Sequence, residues 1–183
     1  MGLLDRTTWG DPMDAAALRA LQAPLKQGYR DDPASACADM HATGSWAEGG
    51  VTATVGTWAG PVRAGLHPST GGDGSDACSG DMLLQALLAC AGVTMRSVAT
   101  ALGVEVRGAE LSARGRMDAR GTLGVSKEAP VGMRDIEITA DLDTDADDDQ
   151  LATLARLTER YCVVAQTLAV TPHLTVRRTA PVG

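Results

Sequence analysis

The clearest signal in the chain is a block that is apolar on every side. Met82, Leu83, Leu84, Ala86, Leu87, Leu88, Ala89, Cys90, Ala91 and Val93 follow Ser79-Gly80-Asp81, residues that favour a helix start. Gly103 after Leu102 is a natural stop signal. A helix with no face suited to water must be central, so the pattern predicts a long helix packed against a sheet and against another chain.

The flanking segments follow other periods. Residues 11–28 have helical spacing, with Leu18, Leu21 and Leu25 on one face, and Pro24 is expected to end or kink that helix. From about Ala36 to Leu66 the pattern changes to short alternating runs such as Val51-Thr52-Ala53-Thr54-Val55, with a hairpin turn expected at Glu48-Gly49-Gly50. That segment predicts antiparallel sheet. Pro68 to Gly80 is glycine-rich and reads as a loop. After the central helix, Val104, Val106, Ala109 and Leu111 lead into a strand, and 121–132 is rich in turn residues. Ile136, Ile138, Ala140 and Leu142 alternate as in a half-buried strand. Asp147, Asp148 and Asp149 complement the positive end of a following helix, whose inward face is Leu151, Leu154, Ala155, Thr158 and Cys162. Leu174-Thr175-Val176 predicts a last strand. The order gives an α+β domain over 36–183 with an N-terminal helical arm over 1–35.

Composition narrows the class. A net charge of −7 argues against a surface that neutralises phosphates or lies on anionic lipid, so nucleic acid and membrane are not expected partners. Met1-Gly2-Leu3-Leu4-Asp5-Arg6 has no basic region before an apolar run, and Met82–Met95 falls short of the roughly 18 apolar residues of a membrane span. The expected compartment is the cytoplasm. With no Phe, Leu, Val, Ala and Met must fill the core, and any apolar pocket must be aliphatic. The four cysteines are then catalytic, metal-binding or structural rather than a disulfide framework.

Two of the cysteines carry a resemblance. The segments Asp81-Met82-Leu83-Leu84-Gln85-Ala86-Leu87-Leu88-Ala89-Cys90 and Arg160-Tyr161-Cys162-Val163-Val164-Ala165-Gln166-Thr167-Leu168, in that order, resemble the OsmC/Ohr family, as does the connecting Gly132-Met133-Arg134-Asp135-Ile136-Glu137-Ile138. The resemblance covers roughly residues 40–178 and lies nearer the OsmC-like branch, because the aromatic-lined pocket common in the Ohr branch has no Phe to build it. It implies an OsmC-like fold, with strongly curved antiparallel sheets around the central helix in an interwoven homodimer. It also implies a thiol-dependent peroxidase, in which Cys90 attacks an organic hydroperoxide and becomes a sulfenic acid. Cys162 then condenses with it to a disulfide that a dithiol reductant opens, with no cofactor and no metal. The chemistry agrees with general thiol behaviour, since the thiolate is the nucleophile and a neighbouring thiol captures its sulfenic product.

A peroxidatic Cys90 in an apolar helix needs a cation to hold the thiolate and steady the departing alkoxide. Arg63, in Pro61-Val62-Arg63-Ala64-Gly65-Leu66, is the best match to the arginine that the family supplies from its N-terminal sheet, ahead of Arg30 and Arg96. An exposed surface role for Arg63 remains the alternative. The sequence departs from the family pattern at two positions. Gly80 stands where an orienting glutamate is usual, leaving Asp81 either to orient the arginine or only to favour the helix start. Val163 replaces the usual Pro after the second cysteine. These departures keep open a second reading, a non-catalytic OsmC-like dimer that binds a small apolar ligand. Cys37 and Cys78 read as structural, His41, His67 and His173 are too scattered for zinc, and the Asp141–Asp147 series lacks the turn Gly and closing Glu of a calcium loop.

Overall fold

In the computed structural model, residues 13–47 and 49–179 are described; Met1–Arg6, Trp9, the first residues of the 11–28 helix and Glu48 of the expected hairpin lie outside them. Helix α1 (Ala15–Asp31) is capped by the Asp14 carboxylate, which accepts the Ala17 N–H at 2.8 Å. It continues past Pro24 to Asp31, so the proline does not end it. Proline removes one intrahelical bond, to the carbonyl of Ala20, and both residues are exposed, so water can serve that carbonyl. Of the predicted apolar face only Leu18 is buried, while Leu21 and Leu25 stay exposed.

The strands form two sheets. The first is β1 (Gly44–Ser45), β2 (Thr52–Thr57), β3 (Gly60–Gly65) and β4 (Ala77–Cys78), in that order. Two antiparallel hairpins build it: β1–β2, which turns where expected with Gly49 and Gly50 at φ 103° and 77°, and β2–β3, with Gly60 at φ 121°. The second sheet, in order, is β5 (Gly108–Arg116), β6 (Arg134–Asp143) and β7 (His173–Arg178). Neither sheet is wholly antiparallel as expected, because β4 pairs parallel to β3 and β7 parallel to β6. A parallel return needs a crossover of a dozen residues or more, and the helical segment after β6 supplies it. That segment is α4 (Asp148–Tyr161) followed by α5 (Val163–Thr167). At its start Asp147 accepts the Gln150 N–H at 2.8 Å and Gln150 returns the favour to the Asp147 N–H at 2.9 Å, a reciprocal cap.

The central helix α2 (Ser79–Leu102) spans the predicted block, ending at Gly103 with φ 70°. Its Leu87, Ala91, Met95 and Ala99 recur every four residues and are buried. They join Ile136, Ile138, Ala140 and Leu142 of β6, Leu151 and Leu154 of α4, and Leu174 of β7 in one aliphatic core. The described aromatics Trp46, Trp58, Tyr29 and Tyr161 all lie outside it, exposed. Within this chain only one side of α2 is covered, for Leu83, Val93 and Leu102 face solvent, Val93 with 73% of its surface. By length and composition α2 is long and apolar enough to cross a membrane, a test that a core helix also passes, and its inner stripe is spent on the sheet. Between α3 (Ala119–Thr122) and β6 the chain follows the turn-rich segment read from sequence.

Candidate functional site

The chain breaks at Cys162. This residue ends α4 and begins α5, with ψ 103° in place of a helical value. Val163 and Val164 thus replace the usual proline without loss of the break, and β-branched residues suit it because they resist a helical interior. Gln166 reinforces the corner by donating from Nε2 to the Glu159 carbonyl at 2.8 Å, while its N–H bonds the Cys162 carbonyl at 3.0 Å. The corner turns the Cys162 side chain into the core, where only 1% of it is exposed.

There it meets Cys90, carried by the third turn of α2 and half-buried. Both thiols are free, and they lie near enough for each to shift the titration of the other. Their titrations move in opposite directions. Burial pushes the Cys90 thiol up, but the Val164 amide, the Cys162 thiol, the Thr94 hydroxyl and the Val163 amide together outweigh it and leave Cys90 below the usual thiol value. Burial also pushes Cys162 up, and the nearby Cys90 thiolate adds to that rise against the Ala165 and Val164 amides, leaving Cys162 above the usual value. The two sulfurs are thus biased in opposite directions, Cys90 toward the thiolate and Cys162 toward the thiol.

The other expected residues lie elsewhere in the chain. Arg63 on β3 ion-pairs through Nε with Asp76, its own side chain 62% exposed. No arginine of the described residues is among the groups that most strongly lower Cys90. Asp81 sits exposed in the first turn of α2, away from that ion pair, so the arginine's carboxylate partner is Asp76 rather than Asp81. The parallel register explains why: Ala64 stands opposite Ala77 and Gly65 opposite Cys78, which sets Arg63 beside Asp76. A Cβ at Gly65 would come within 2.8 Å of the Asp76 side chain, so glycine there makes room for the pair. Gly80 has a similar explanation, since a Cβ would lie 3.3 Å from Met133 Cε and 3.5 Å from Cys78 Sγ. Met133 and Cys78 fill the space into which a glutamate would have to grow.

Sequence reasoning missed Asp76, whose pairing depends on the sheet register, and it missed Thr94. The latter was within reach, being one turn beyond Cys90 on the same helical face. The expected minor choices serve the fold: Arg96 donates to the Val106 carbonyl at 2.9 Å and Arg30 to Gln27 at 3.3 Å. Among the described residues, no group of three His, Cys, Asp or Glu side chains is disposed to hold a metal ion. Asp143 and Asp145 both bind Arg107, and Asp147 caps α4, which accounts for the acidic run.

Comparison with known proteins gives a consistent picture. Residues 72–177 match the family described as OsmC-like protein. No curated protein matches the chain significantly in sequence. An OsmC-like protein of Mycoplasma pneumoniae superposes with TM-score 0.64 at 13% identity, covering 78% of this chain and 99% of the other. An organic hydroperoxide resistance protein of Elizabethkingia anophelis gives 0.62 at 14%, covering 78% and 99%. An organic hydroperoxide resistance protein OsmC of Legionella pneumophila gives 0.55 at 13%, covering 79% and 100%.

Proposed function

The chain belongs to the OsmC-like protein family, and on that premise we propose that it is a cysteine-based peroxidase that reduces organic hydroperoxides. The observation that carries this reading is the opposite polarisation of two adjacent thiols, Cys90 lowered and Cys162 raised. A lowered thiol in contact with a protonated neighbour has the arrangement required of an attacking and a resolving cysteine. The Cys90 thiolate attacks the outer oxygen of the hydroperoxide, the O–O bond breaks, and the alkoxide leaves with a proton as alcohol. Cys90 is left as a sulfenic acid. Cys162 displaces its hydroxyl as water, giving the Cys90–Cys162 disulfide, which an external dithiol reduces in two exchange steps. No metal or cofactor is required by this balance.

Arg63, oriented by Asp76, is the cation assigned to the departing alkoxide, and Asp81 is assigned to the positive end of α2. We assign the complete site to a homodimer. The open flank of α2, with Leu83, Val93 and Leu102, and the exposed Trp46, Val51 and Trp58 around the first sheet are apolar surfaces that a second copy would cover. Residues 1–35 form an arm added to the catalytic domain of 36–183. A thiol pair that must return to its reduced state suits the cytoplasm.

A non-catalytic ligand-binding role has less support. The apolar cavity between α2 and β5, lined by Gly92, Met95, Leu111 and Leu142, holds about 50 Å³, against roughly 300 Å³ or more for a typical small-molecule site. The test is stoichiometric. Reduced protein treated with one equivalent of a small alkyl hydroperoxide should yield one equivalent of alcohol and a Cys90–Cys162 disulfide in peptide mass spectra. Loss of hydroperoxide without that linkage would sink the two-cysteine mechanism.

A further inference from the structure

The thiol assigned as resolver carries a proton that must leave before its sulfur can attack, and the core around it is otherwise apolar. One polar atom there has no partner: the Thr158 hydroxyl, on a residue only 1% exposed, makes no hydrogen bond. An unmade bond at a buried hydroxyl costs about 1–3 kcal/mol, so its retention in a helix facing the core calls for an explanation. Thr158 stands one turn before Cys162 on α4. Both line a small cavity of about 10 Å³ together with Glu159, Gln166, Thr171, Ala91, Ile138 and Leu174. That volume is about one water molecule, and the polar groups are enough in number to hold one. Glu159 Oε1 accepts the Leu174 N–H at 3.2 Å, and its other carboxylate oxygen makes no hydrogen bond among the described residues.

We propose that Thr158 holds a single water in this cavity and that the water passes the Cys162 proton to Glu159 during disulfide formation. The inference rests on the two-cysteine reading above. As the S–H bond of Cys162 breaks, its proton moves to the water, which gives one of its own to the Glu159 carboxylate. The Cys162 sulfur attacks the sulfenic sulfur of Cys90, the S–S bond forms and the S–O bond breaks. The departing hydroxide takes a proton from solvent and leaves as water, and Glu159 releases the proton it received to solvent, so the step consumes no net proton. Cys162 is oxidised and Cys90 reduced, each by one unit. Thr171 also lines an open cleft of about 700 Å³ between Arg114, Arg116, Glu137 and His173, which gives the cavity a route to solvent. The titratable groups that face or flank the water are thus Glu159 and Cys162 from the α4 end, Cys90 from α2 and His173 from β7, with Glu137 and Arg114 beyond on β6 and β5.

Thr158→Val keeps shape and removes the anchor; Thr158→Ser keeps the anchor; Glu159→Gln removes the acceptor. Single-turnover oxidation by an alkyl hydroperoxide, quenched at intervals, separates sulfenic acid formation from disulfide formation. We expect T158V and E159Q to leave the first step unchanged and to slow the second at least 10-fold near neutral pH, with the deficit closing at high pH and T158S near wild type. An unchanged rate and pH profile of the second step in both T158V and E159Q overturns the proposal. A wild type that forms no disulfide refutes the peroxidase reading instead. The proton path is then judged separately in a Cys90→Ala background, where alkylation of Cys162 by a small electrophile should lose its neutral-pH rate on E159Q; an unaltered profile overturns it.

Discussion

Thr94→Val is the most informative substitution at the attacking cysteine. The Thr94 hydroxyl lies one turn beyond Cys90 on α2, is half-buried, and is one of four groups that hold the Cys90 thiol below its usual value. Valine reproduces its outline and removes only the hydroxyl, so packing against the core is preserved. A hydrogen bond to a charged group contributes about 1.5–3 kcal/mol, and partial exposure puts Thr94 at the lower end. Since about 1.4 kcal/mol is a factor of ten in an equilibrium, the thiolate fraction of Cys90 below its titration point should fall roughly 10-fold. The amides of Val163 and Val164 remain and should prevent a larger loss. The assay is the rate of Cys90 alkylation against pH in a Cys162→Ser background, where serine still donates to the Cys90 sulfur. The Thr94→Val profile should move to higher pH and reach the same plateau. A profile that superposes on the parent would refute the assignment of the hydroxyl as a support for the thiolate. A lowered plateau would instead indicate lost access rather than lost charge stabilisation.

Other outcomes follow from the same geometry. Leu87 is fully buried in the core, so Leu87→Ala should lower unfolding free energy by about 2–5 kcal/mol in urea denaturation. Arg63→Gln breaks an exposed ion pair worth about 0–1 kcal/mol, so stability should hardly change, whereas hydroperoxide reduction should fall at least 10-fold if the guanidinium serves the alkoxide. For linkage, a thiol lowered on folding adds stability that is complete above the unfolded value of about 8.5 and vanishes as pH falls through the folded one. The stability of Cys162→Ser relative to Cys90→Ser/Cys162→Ser should therefore rise with pH across that window; a constant difference would contradict the lowered Cys90.

Much of this protein could be read along the chain because the decisive patterns are local. The apolar block, its Gly103 stop and the Asp147 start marked α2 and the beginning of α4, since caps and periodicity depend on near neighbours. Alternation from Ile136 to Leu142 marked β6 for the same reason. Strand direction was not accessible in this way: whether β7 returns parallel or antiparallel depends on how α4 and α5 carry the chain across the sheet. That the helix does not end at Pro24 was also out of reach, because the cost of a proline there depends on whether the Ala20 carbonyl can reach water, which is a matter of burial.

The two cysteines divide along the same line. The sequence by itself determined that Cys90 lies in an apolar helix, that Cys162 lies on the inward face of another, and that Val163-Val164 can interrupt that helix. Only the tertiary structure decided that their sulfurs meet, that amides from α5 and a hydroxyl from α2 converge on Cys90, and that Asp76 rather than Asp81 holds Arg63. A charge on sulfur is set by every dipole within a few ångströms, and three of the groups around Cys90, from Cys162, Val163 and Val164, lie more than seventy positions away along the chain.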